Sequence, residues 1–534
     1  MTVSTAVDAP GTRTERPGTT RHTPAGAANG TNPDAELVPV VSPRVLQGIT
    51  FALVVVSGIA AFVSGTAYVA GDRTKEIVPI VAVIAVVLAI MAATRFSGFV
   101  MLILAIRPAI DQFKLSGNPT GNTTVGNSAA AKGLDPSTTL ALLFLLTGVL
   151  WLAARHYSGK RVPMSRLGLA LILFVASGFV SVLGSAYLQA SGIEALRIAS
   201  VALMFIVLEQ MIDSREMLVR VLVWCYVGLM YPLLNTVWGI ALGDPNSDVK
   251  GSFTRLSGPF NQSNTYSRYL AFMIIMGVAL YPFIAKRLKL LFLGVIALSS
   301  VFMLLTLTRT AIIGAFVGVV LIAVLQRRKR LLIGLGIAIV VALVLLPGVA
   351  ARFATLDAST AIGGGPTGNT LAWRIRYWTE VLPLANQNPV TGIGLNVTQY
   401  QTDAAKQPHN DFIRAYVETG AFGLLAYLAM LTALVGNARR ALVRATPQTL
   451  EHAVAAGALG AAAAYVLESM AANVMSNVVS LWYLFAFAAC ATYVARTAGD
   501  RRGGSDGPQG GDTDETAAPA PPGREDAAVV GATG

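Results

Sequence analysis

The chain has 534 residues, of which 54% are hydrophobic and only 13% charged, whereas about 25% of the residues of a typical soluble domain are charged. This composition excludes an ordinary soluble enzyme and favours a protein that crosses a membrane many times. The net charge of +12 is compatible with nucleic acid, anionic lipid or basic cytoplasmic loops, so the distribution of charge along the chain must distinguish these cases.

Apolar runs follow one another through most of the chain, and many approach the roughly 20 residues that a helix needs to cross a bilayer. The third run is short and contains Arg107 and Pro108, so it is either a span or a re-entrant helix. The sequence predicts an all-α, polytopic transmembrane helix bundle of about 12–14 spans. The fourteen predicted runs are residues 45–70, 77–94, 97–110, 139–155, 167–188, 194–212, 218–241, 267–285, 290–307, 309–326, 331–347, 412–435, 453–474 and 479–496.

Basic residues indicate which ends of these runs share a side of the membrane. Clusters of Lys and Arg follow the fourth, eighth, tenth and twelfth runs, at residues 155–166, 286–289, 327–330 and 439–444. Because cytoplasmic loops are enriched in Lys and Arg, we expect these loops and both termini to be cytoplasmic. The positive charge is then explained by topology, and a nucleic-acid partner is not expected.

Composition and hydropathy divide the chain into five parts. The two ends are polar and rich in Gly, Pro and Thr or acidic residues, which is typical of disorder. The predicted parts are a cytoplasmic tail (1–42), a bundle of eleven spans (43–347), a large external loop (348–411), three further spans (412–496) and a second cytoplasmic tail (497–534).

The external loop is far longer than an ordinary connection, and such loops are usually functional or disordered. Within it, Leu371, Trp373, Tyr377, Trp378 and Val381 recur at helical spacing, which predicts an amphipathic helix. Such a helix serves either as an anchor at the membrane interface or as part of a site, and the spacing alone favours neither.

One histidine stands out among the four. His22, His156 and His452 fall in a predicted tail or in cytoplasmic loops, whereas His409 ends the external loop, directly before the twelfth run. An imidazole accepts a proton near neutral pH, so His409 is a candidate general base for a hydroxyl nucleophile. A polar residue at the interface is the alternative.

Several arginines lie on the same predicted side as His409. Arg255 and Arg268 flank the start of the eighth run, Arg309 begins the tenth, and Arg374 and Arg376 lie on the predicted loop helix. Guanidinium groups at such positions either snorkel to water or bind an anion in a bidentate manner. Their number predicts an anionic ligand such as phosphate or diphosphate.

Residue types argue against a metal or a cofactor. The carboxylates of the external loop form no DxD pair and have no second histidine nearby, and the chain has no glycine-rich phosphate loop that follows a strand. Cys225 and Cys490 lie inside apolar runs, so neither a disulfide framework nor a thiolate site is expected.

A motif at the end of the loop indicates a family. His409 and Asn410 are followed by nine residues, Gly420, two residues and Gly423, a pattern that resembles the motif of the O-antigen ligase and O-antigen polymerase family of bacterial membrane glycosyltransferases. Order and topology agree with this family over roughly residues 45–496. Three further stretches resemble the same family: Asn388–Gly394, Arg255–Asn264 and Thr308–Thr310.

This resemblance implies a GT-C-like helical bundle and a function. The expected donor is a glycan on a polyprenyl diphosphate, the expected acceptor is a hydroxyl of a glycan or lipid-glycan, and transfer is expected at the outer face of the plasma membrane. Arg255, Arg309 and Arg374 would hold the diphosphate, with Arg376 as a competitor of Arg374. His409 would take the proton from the acceptor. Ligase and polymerase differ only in the acceptor, and both remain open.

Four residues have expected supporting roles. Gly420 and Gly423 allow close packing of the twelfth helix beneath the loop, and Asn410 is expected to orient the imidazole. Asn264 is expected either in the site or as a helix cap. Glu209 and Glu468, within predicted spans, motivate an alternative function as a secondary transporter or flippase of the polysaccharide pathway.

Overall fold

The computed structural model of the protein describes residues 73–110, 136–160, 162–250, 253–354, 371–404 and 406–503. The predicted first run (45–70), the N-terminal tail (1–42) and most of the C-terminal tail lie outside the described residues. Every other predicted run overlaps a helix, although the runs 167–188 and 453–474 extend past helices that end at Leu183 and Ser469.

The first half of the described chain is built from six helices and a hairpin. Ser165 and Ser214 cap two of these helices, because their side-chain oxygens accept the backbone N–H of Gly168 and Met217 at 3.1 and 3.2 Å, which satisfies otherwise unpaired donors. The elements are α1 (Arg73–Thr94), α2 (Phe96–Ile110), α3 (Pro136–Tyr157), α4 (Arg166–Leu183), α5 (Leu188–Met211), α6 (Arg215–Ala241), β1 (Ser247–Lys250) and β2 (Phe253–Leu256).

The second half contains nine helices. Short 3₁₀ turns at Tyr281–Phe283, Lys286–Leu288, Leu382–Gln387 and Thr398–Tyr400 connect some of them. The helices are α7 (Ser263–Leu280), α8 (Lys289–Leu305), α9 (Arg309–Leu325), α10 (Lys329–Leu345), α11 (Pro347–Ala354), α12 (Leu371–Val381), α13 (Asp411–Arg444), α14 (Leu450–Ser469) and α15 (Val478–Gly503).

Membrane spans are numerous among the described residues. Nine helices are long and apolar enough to cross a membrane, and α10 with α11, which meet at a bend of 97°, give a tenth if they form one broken span. α2 and α9 are apolar but shorter. The predicted all-α, polytopic bundle is confirmed, and the loop helix predicted around Trp373 is present as α12.

The hairpin is one feature that the sequence did not predict. β1 and β2 pair antiparallel, with Asp248 opposite Arg255. Strands of four residues are too short for an alternating pattern to be distinguished from a loop. The hairpin is anchored to the start of α7, because Ser263 donates from its hydroxyl and its backbone N–H to the carboxylate of Asp248 at 3.0 and 3.1 Å.

The last helix forms the centre of the bundle. α15 packs against α2, α5, α6, α7, α13 and α14, and its apolar window is completely buried. Trp482 and Phe485 are among its buried side chains. In contrast, α10 has no buried residue, so its apolar surface faces the surroundings of the bundle, as expected of a lipid-exposed helix.

Several helix termini meet at one end of the bundle, which we call the site end. The start of α13 and the segment before α15 are joined there, because Asp411 accepts backbone N–H groups of Val474 and Met475. The start of α7 lies beside them, since Thr265 donates to the side chain of Asn477 at 2.8 Å. The last turn of α13 lies at the opposite end, because Arg444 donates to the carbonyl of Ala495, in the second half of α15, at 2.7 Å.

Candidate active site

His409 lies at the site end, in an uncommon backbone conformation. Its φ is +55°, a left-handed value that is uncommon for a residue with a Cβ. The side chain is half-buried. Asn410, the N-cap of α13, follows directly in the chain, so the start of this helix fixes the position of the histidine.

Asn410 is the N-cap of α13 and does not orient the imidazole, so that expectation was wrong. Its Oδ1 accepts the backbone N–H groups of Phe412 and Ile413 at 2.9 and 3.1 Å, and its Nδ2 donates to the carbonyl of Met470 at 3.0 Å. The short polar side chain thus satisfies free N–H groups of the first turn. Asn410 and Asp411 therefore mark the start of α13.

The residue that reaches the imidazole is Asn473. Its Nδ2 lies 3.3 Å from Nδ1 of His409. Asn473 belongs to residues 470–477, the connection between α14 and α15, which we call the bridging segment. The sequence predicted Asn473 inside the run 453–474, whereas the helix ends at Ser469, so nothing marked this segment as part of the site. Its role follows only from the packing of α14 and α15 against α13.

Asp411 holds the bridging segment in place. Its buried Oδ2 accepts the N–H groups of both Val474 and Met475 at 3.0 Å. One turn further along α13, the buried Arg414 pairs with Glu418 at 2.8 Å and with Glu194 of α5 at 3.2 Å. Buried charges are costly unless they are paired in this way, so these residues fix the framework beneath His409.

The glycines of the motif allow the loop to approach α13 closely. Gly420 interrupts the helix with φ +68° and ψ −171°, and a Cβ there would lie 2.2 Å from the carbonyl oxygen of Val390. A Cβ on Gly392 would likewise lie 2.3 Å from the backbone of Glu418. The stretch Asn388–Gly394 is therefore pressed against the kink, where the backbone N–H of Gly394 donates to the carbonyl of Glu418 at 3.0 Å.

Gly423 leaves room for a neighbouring side chain. A Cβ at this position would lie 1.8 Å from the hydroxyl oxygen of Thr419. This hydroxyl donates to the carbonyl of Ala415 at 2.6 Å, one turn earlier in α13. Gly423 therefore supports helix packing and contacts no group of the site.

Arg255 lies on β2 and is fixed in a polar pocket. Its Nε donates to the carbonyl of Thr306 at 2.8 Å, and its Nη2 donates to Oδ1 of Asn264 and to the hydroxyl of Thr308, both at 2.7 Å. Asn264 therefore orients Arg255. The N-cap position of α7 belongs to Gln262, so the helix-cap alternative for Asn264 was wrong.

Arg268 connects a buried carboxylate to the bridging segment. Its Nε lies 3.2 Å from Oε2 of Glu468, and its Nη1 donates to the backbone carbonyl of Asn473 at 3.3 Å. Glu468 thus has a cationic partner, and Glu209, the other carboxylate noted in a span, accepts the N–H of Ser165 at 3.0 Å. Both carboxylates have local partners within the bundle.

Of the two arginines on α12, only Arg374 faces the bridging segment. Its Nη1 donates to the carbonyl of Ala471 at 2.6 Å, and its buried Nε has no hydrogen-bond partner among the described residues. Arg376 is exposed. Of the two, Arg374 is thus the one that lies beside the segment that contacts His409.

Arg309 and Arg352 complete the group of cations. Nη1 of Arg309 donates to the backbone carbonyl of Arg352 at 3.4 Å, and the guanidinium of Arg352 lies over the ring of Phe253, 5.1 Å from its centroid. Arg352, on α11, was missed by the sequence analysis. The feature that could have identified it is a basic residue just beyond a predicted span, on the predicted external side, where Lys and Arg are scarce.

Five arginines therefore form an arginine cluster, defined as Arg255, Arg268, Arg309, Arg352 and Arg374. Burial lowers the pKa of Arg374 to about 10, and repulsion from Arg309, Arg268 and Arg352 contributes in the same direction. Burial also lowers the pKa of Arg255 to about 10, although Asp248 opposes this shift. Both groups remain charged at neutral pH, so the cluster is a region of positive potential suited to an anion.

Helix α12 borders His409 with aromatic side chains. Trp378 donates from its Nε1 to the carbonyl of Pro408 at 2.7 Å, and the Tyr377 hydroxyl contacts the carbonyl of Lys406 and the hydroxyl of Thr402. The ring of Trp373 lies edge-on to the imidazole, with 6.3 Å between centroids. The amphipathic helix is therefore tied to the chain that carries His409.

Metal-ligand residues are not grouped in the described part of the chain: no three His, Cys, Asp or Glu side chains there lie close enough together to hold a metal ion. Cys225 and Cys490 are free and buried.

The fold and the site define a multi-pass membrane protein in which one histidine and a cluster of arginines meet at one end of a helical bundle. Residues 294–428, which contain Arg309, Arg374 and His409, match the family model described as O-antigen ligase. This match supports assignment of the chain to the O-antigen ligase family, and the resemblance predicted from the motif is confirmed. No curated protein matches the chain in sequence. The family supports a glycosyl-transferring enzyme of polysaccharide assembly in a bacterial membrane.

Proposed function

We propose that the protein transfers a glycan from a polyprenyl-diphosphate carrier to an acceptor hydroxyl at the outer face of the bacterial plasma membrane. The observation that carries this proposal is the bridging segment. Asn473 contacts His409 through its side chain and Arg268 through its carbonyl, and Ala471 accepts a hydrogen bond from Arg374. The proposed proton acceptor, His409, and two members of the arginine cluster thus contact the same short segment.

The proposed reaction is a substitution at the anomeric carbon of the donor. The acceptor oxygen forms a bond to this carbon while the bond from the carbon to the diphosphate oxygen breaks, and the electron pair leaves with the diphosphate. The proton of the acceptor hydroxyl passes to an imidazole nitrogen of His409. Guanidinium groups stabilise the negative charge that develops on the leaving oxygens.

The arginines contribute to different degrees. Arg268 is already paired with Glu468, and Arg255 is held by Thr306, Asn264 and Thr308. Arg309 and Arg374 are less engaged by the protein, so we assign to them the principal contacts with the diphosphate. The charge of the other three arginines adds to the potential that attracts it.

Orientation in the membrane follows from the two ends of α13. His409 precedes the first residue of this helix, and the basic residues Arg439, Arg440 and Arg444 lie near its other end. Because basic clusters favour the cytoplasmic side, we place the site end outside the cell and both termini inside. The proposal includes both ligase and polymerase activity, since these differ only in the acceptor.

The test uses the purified full-length protein in proteoliposomes with an undecaprenyl-diphosphate-linked oligosaccharide as donor. The same lipid-linked oligosaccharide serves as a polymerase acceptor, and glycolipid extracted from the source membrane serves as a ligase acceptor. We expect a longer or transferred glycan in the presence of EDTA, and we expect His409→Ala to lower its rate by roughly 10²–10⁴-fold. Loss of activity in EDTA that a divalent ion restores would contradict metal-independent transfer.

The transporter alternative predicts a different outcome. If His409→Ala left transfer unchanged while the movement of lipid-linked glycan across the proteoliposome membrane was lost, the enzyme proposal would be wrong. Both quantities are measured on the same vesicles, by product analysis and by protection of the donor glycan from an external glycosidase.

A further inference from the structure

On the side that faces α12, His409 is bordered by the indole of Trp373, and the ammonium of Lys406 lies over that indole. Trp373 lies edge-on to the imidazole at 6.3 Å between centroids, with an interplanar angle of 67°. Tyr377 stacks on the indole at 4.9 Å and 19°. Nζ of Lys406 also lies over the indole, 4.9 Å from its centroid. Tyr377 and the ammonium of Lys406 thus both contact the indole.

This ring is held by a rigid support. Tyr377 is buried and bonded to Thr402 and to the carbonyl of Lys406, and the next residue, Trp378, is bonded to Pro408. Arg374 follows Trp373 in the chain and donates to Ala471. α12 therefore directs Trp373 toward His409 and the adjacent Arg374 toward the bridging segment.

Lys406 is a cover that a ligand can displace. The residue is exposed, and an exposed cation–π contact contributes only about 0.5–1 kcal/mol. The apolar face of a sugar ring packs on an aromatic face, so a pyranose can take the place of the ammonium on Trp373. The displaced ammonium then remains close to the substituents of that sugar.

We propose that Trp373 and Lys406 form an acceptor subsite for a pyranose that carries an acidic substituent. The sugar ring packs on the indole, the ammonium of Lys406 pairs with the acidic group, and a ring hydroxyl lies beside His409. This inference rests on the proposed function, because His409 is the group that receives the proton of that hydroxyl. It goes beyond the proposed function by specifying the chemistry of the acceptor.

An interfacial anchor is the competing explanation for a tryptophan at this end of the bundle. The chain offers a matched control in Trp238, near the end of α6, whose side chain is 66% exposed and which lies outside the site. A variant of Trp238 reports the effect of losing an exposed tryptophan as such. A variant of Trp373 reports that effect together with any loss of sugar binding.

The experiment measures saturation-transfer NMR on the full-length protein in nanodiscs, with methyl β-D-glucopyranoside and its uronic acid as probes. We expect signal from both probes and stronger signal from the uronic acid. Trp373→Ala should weaken the binding of both probes by roughly three- to tenfold. Trp373→Phe should bind more strongly than Trp373→Ala but more weakly than the wild type. Lys406→Gln should remove only the preference for the uronic acid. Trp238→Ala should bind as the wild type does.

Several results would overturn the inference. The inference would be wrong if neither probe bound the wild type, or if Trp373→Ala bound the probes as strongly as the wild type does. It would also be wrong if Trp373→Ala and Trp238→Ala lost binding equally, or if Lys406→Gln still preferred the uronic acid. Thermal unfolding identifies a Trp373→Ala protein that fails to fold, and Trp373→Phe then carries the test. His409→Ala should retain glycoside binding, so failure of this subsite and failure of the transfer reaction are distinguishable.

Discussion

Nδ2 of Asn473 lies 3.3 Å from Nδ1 of His409, although 64 residues separate the two in the chain. The carbonyl of the same asparagine accepts hydrogen bonds from Arg268 at 3.3 Å and from Asn477 at 3.1 Å. Its Oδ1 is buried and has no partner among the described residues. One asparagine thus contacts both the imidazole and the arginine cluster.

Substitution of Asn473 should alter the pH dependence of transfer. Asn473→Asp places a carboxylate against the imidazole, and an opposite charge favours the protonated ring, which raises the pKa of His409. A general base acts in its deprotonated form, so the acidic limb of the rate profile should move to higher pH. Asn473→Ala should lower the maximal rate without that shift. The measurement is the initial rate of transfer across pH 5–9, and an unshifted limb in Asn473→Asp would contradict contact between the two side chains in the working enzyme.

The two arginines of α12 form a matched pair. Arg374→Gln removes a cation that bonds the bridging segment, whereas Arg376→Gln removes an exposed one on the same helix. Loss of one preorganised donor to a developing negative charge typically costs on the order of 10²-fold in rate. We expect a loss of this order for Arg374→Gln and near wild-type transfer for Arg376→Gln. Equal losses would indicate that α12 contributes only general positive charge.

Local sequence patterns were sufficient to predict most of the helices and the family. Most runs from residue 77 onward are long and apolar, so they were recognisable without knowledge of their neighbours, whereas the third run is short and α11 was not predicted. The amphipathic helix around Trp373 was recognisable from its spacing. The hairpin that carries Arg255 was missed because its strands have only four residues each.

Long-range relationships in the site were not predictable from such patterns. Asn473 and Arg352 are ordinary residues in their own segments, and only the packing of α14, α15 and α11 brings them to the cluster. For Asn410 the sequence suggested a contact that the structure does not have. Because Asn410 is next to His409 in the chain, an interaction with the imidazole was expected. The start of α13 requires that side chain as a cap, and the cap directs it away from the ring.

Arg309 tests whether the geometry of a guanidinium matters as well as its charge. Arg309→Lys keeps the positive charge but loses the planar set of donors that binds a phosphate group in a bidentate manner. We therefore expect the KM for the lipid-linked donor to rise and kcat/KM to fall by about tenfold or more. The measurement is a donor titration in proteoliposomes. Full activity of Arg309→Lys would mean that this arginine only extends to the interfacial water.

The kink at Gly420 gives a prediction about stability, with a control in the same helix. Gly420→Ala requires a Cβ at φ +68°, 2.2 Å from the carbonyl oxygen of Val390, so both the backbone conformation and the space oppose it. Gly436→Ala adds a Cβ that meets nothing within 4 Å and replaces a residue that is unfavourable inside a helix.

Thermal unfolding of the purified variants in detergent measures the difference. Gly420→Ala should lower the free energy of unfolding by more than 1 kcal/mol, which is the usual scale for a residue forced into such a conformation, and should reduce transfer because His409 is carried on the same helix. Gly436→Ala should leave the melting temperature unchanged or raise it slightly. If both variants unfolded at the wild-type temperature, the contact between the kink and the stretch Asn388–Gly394 would have no role in holding the loop that ends at His409.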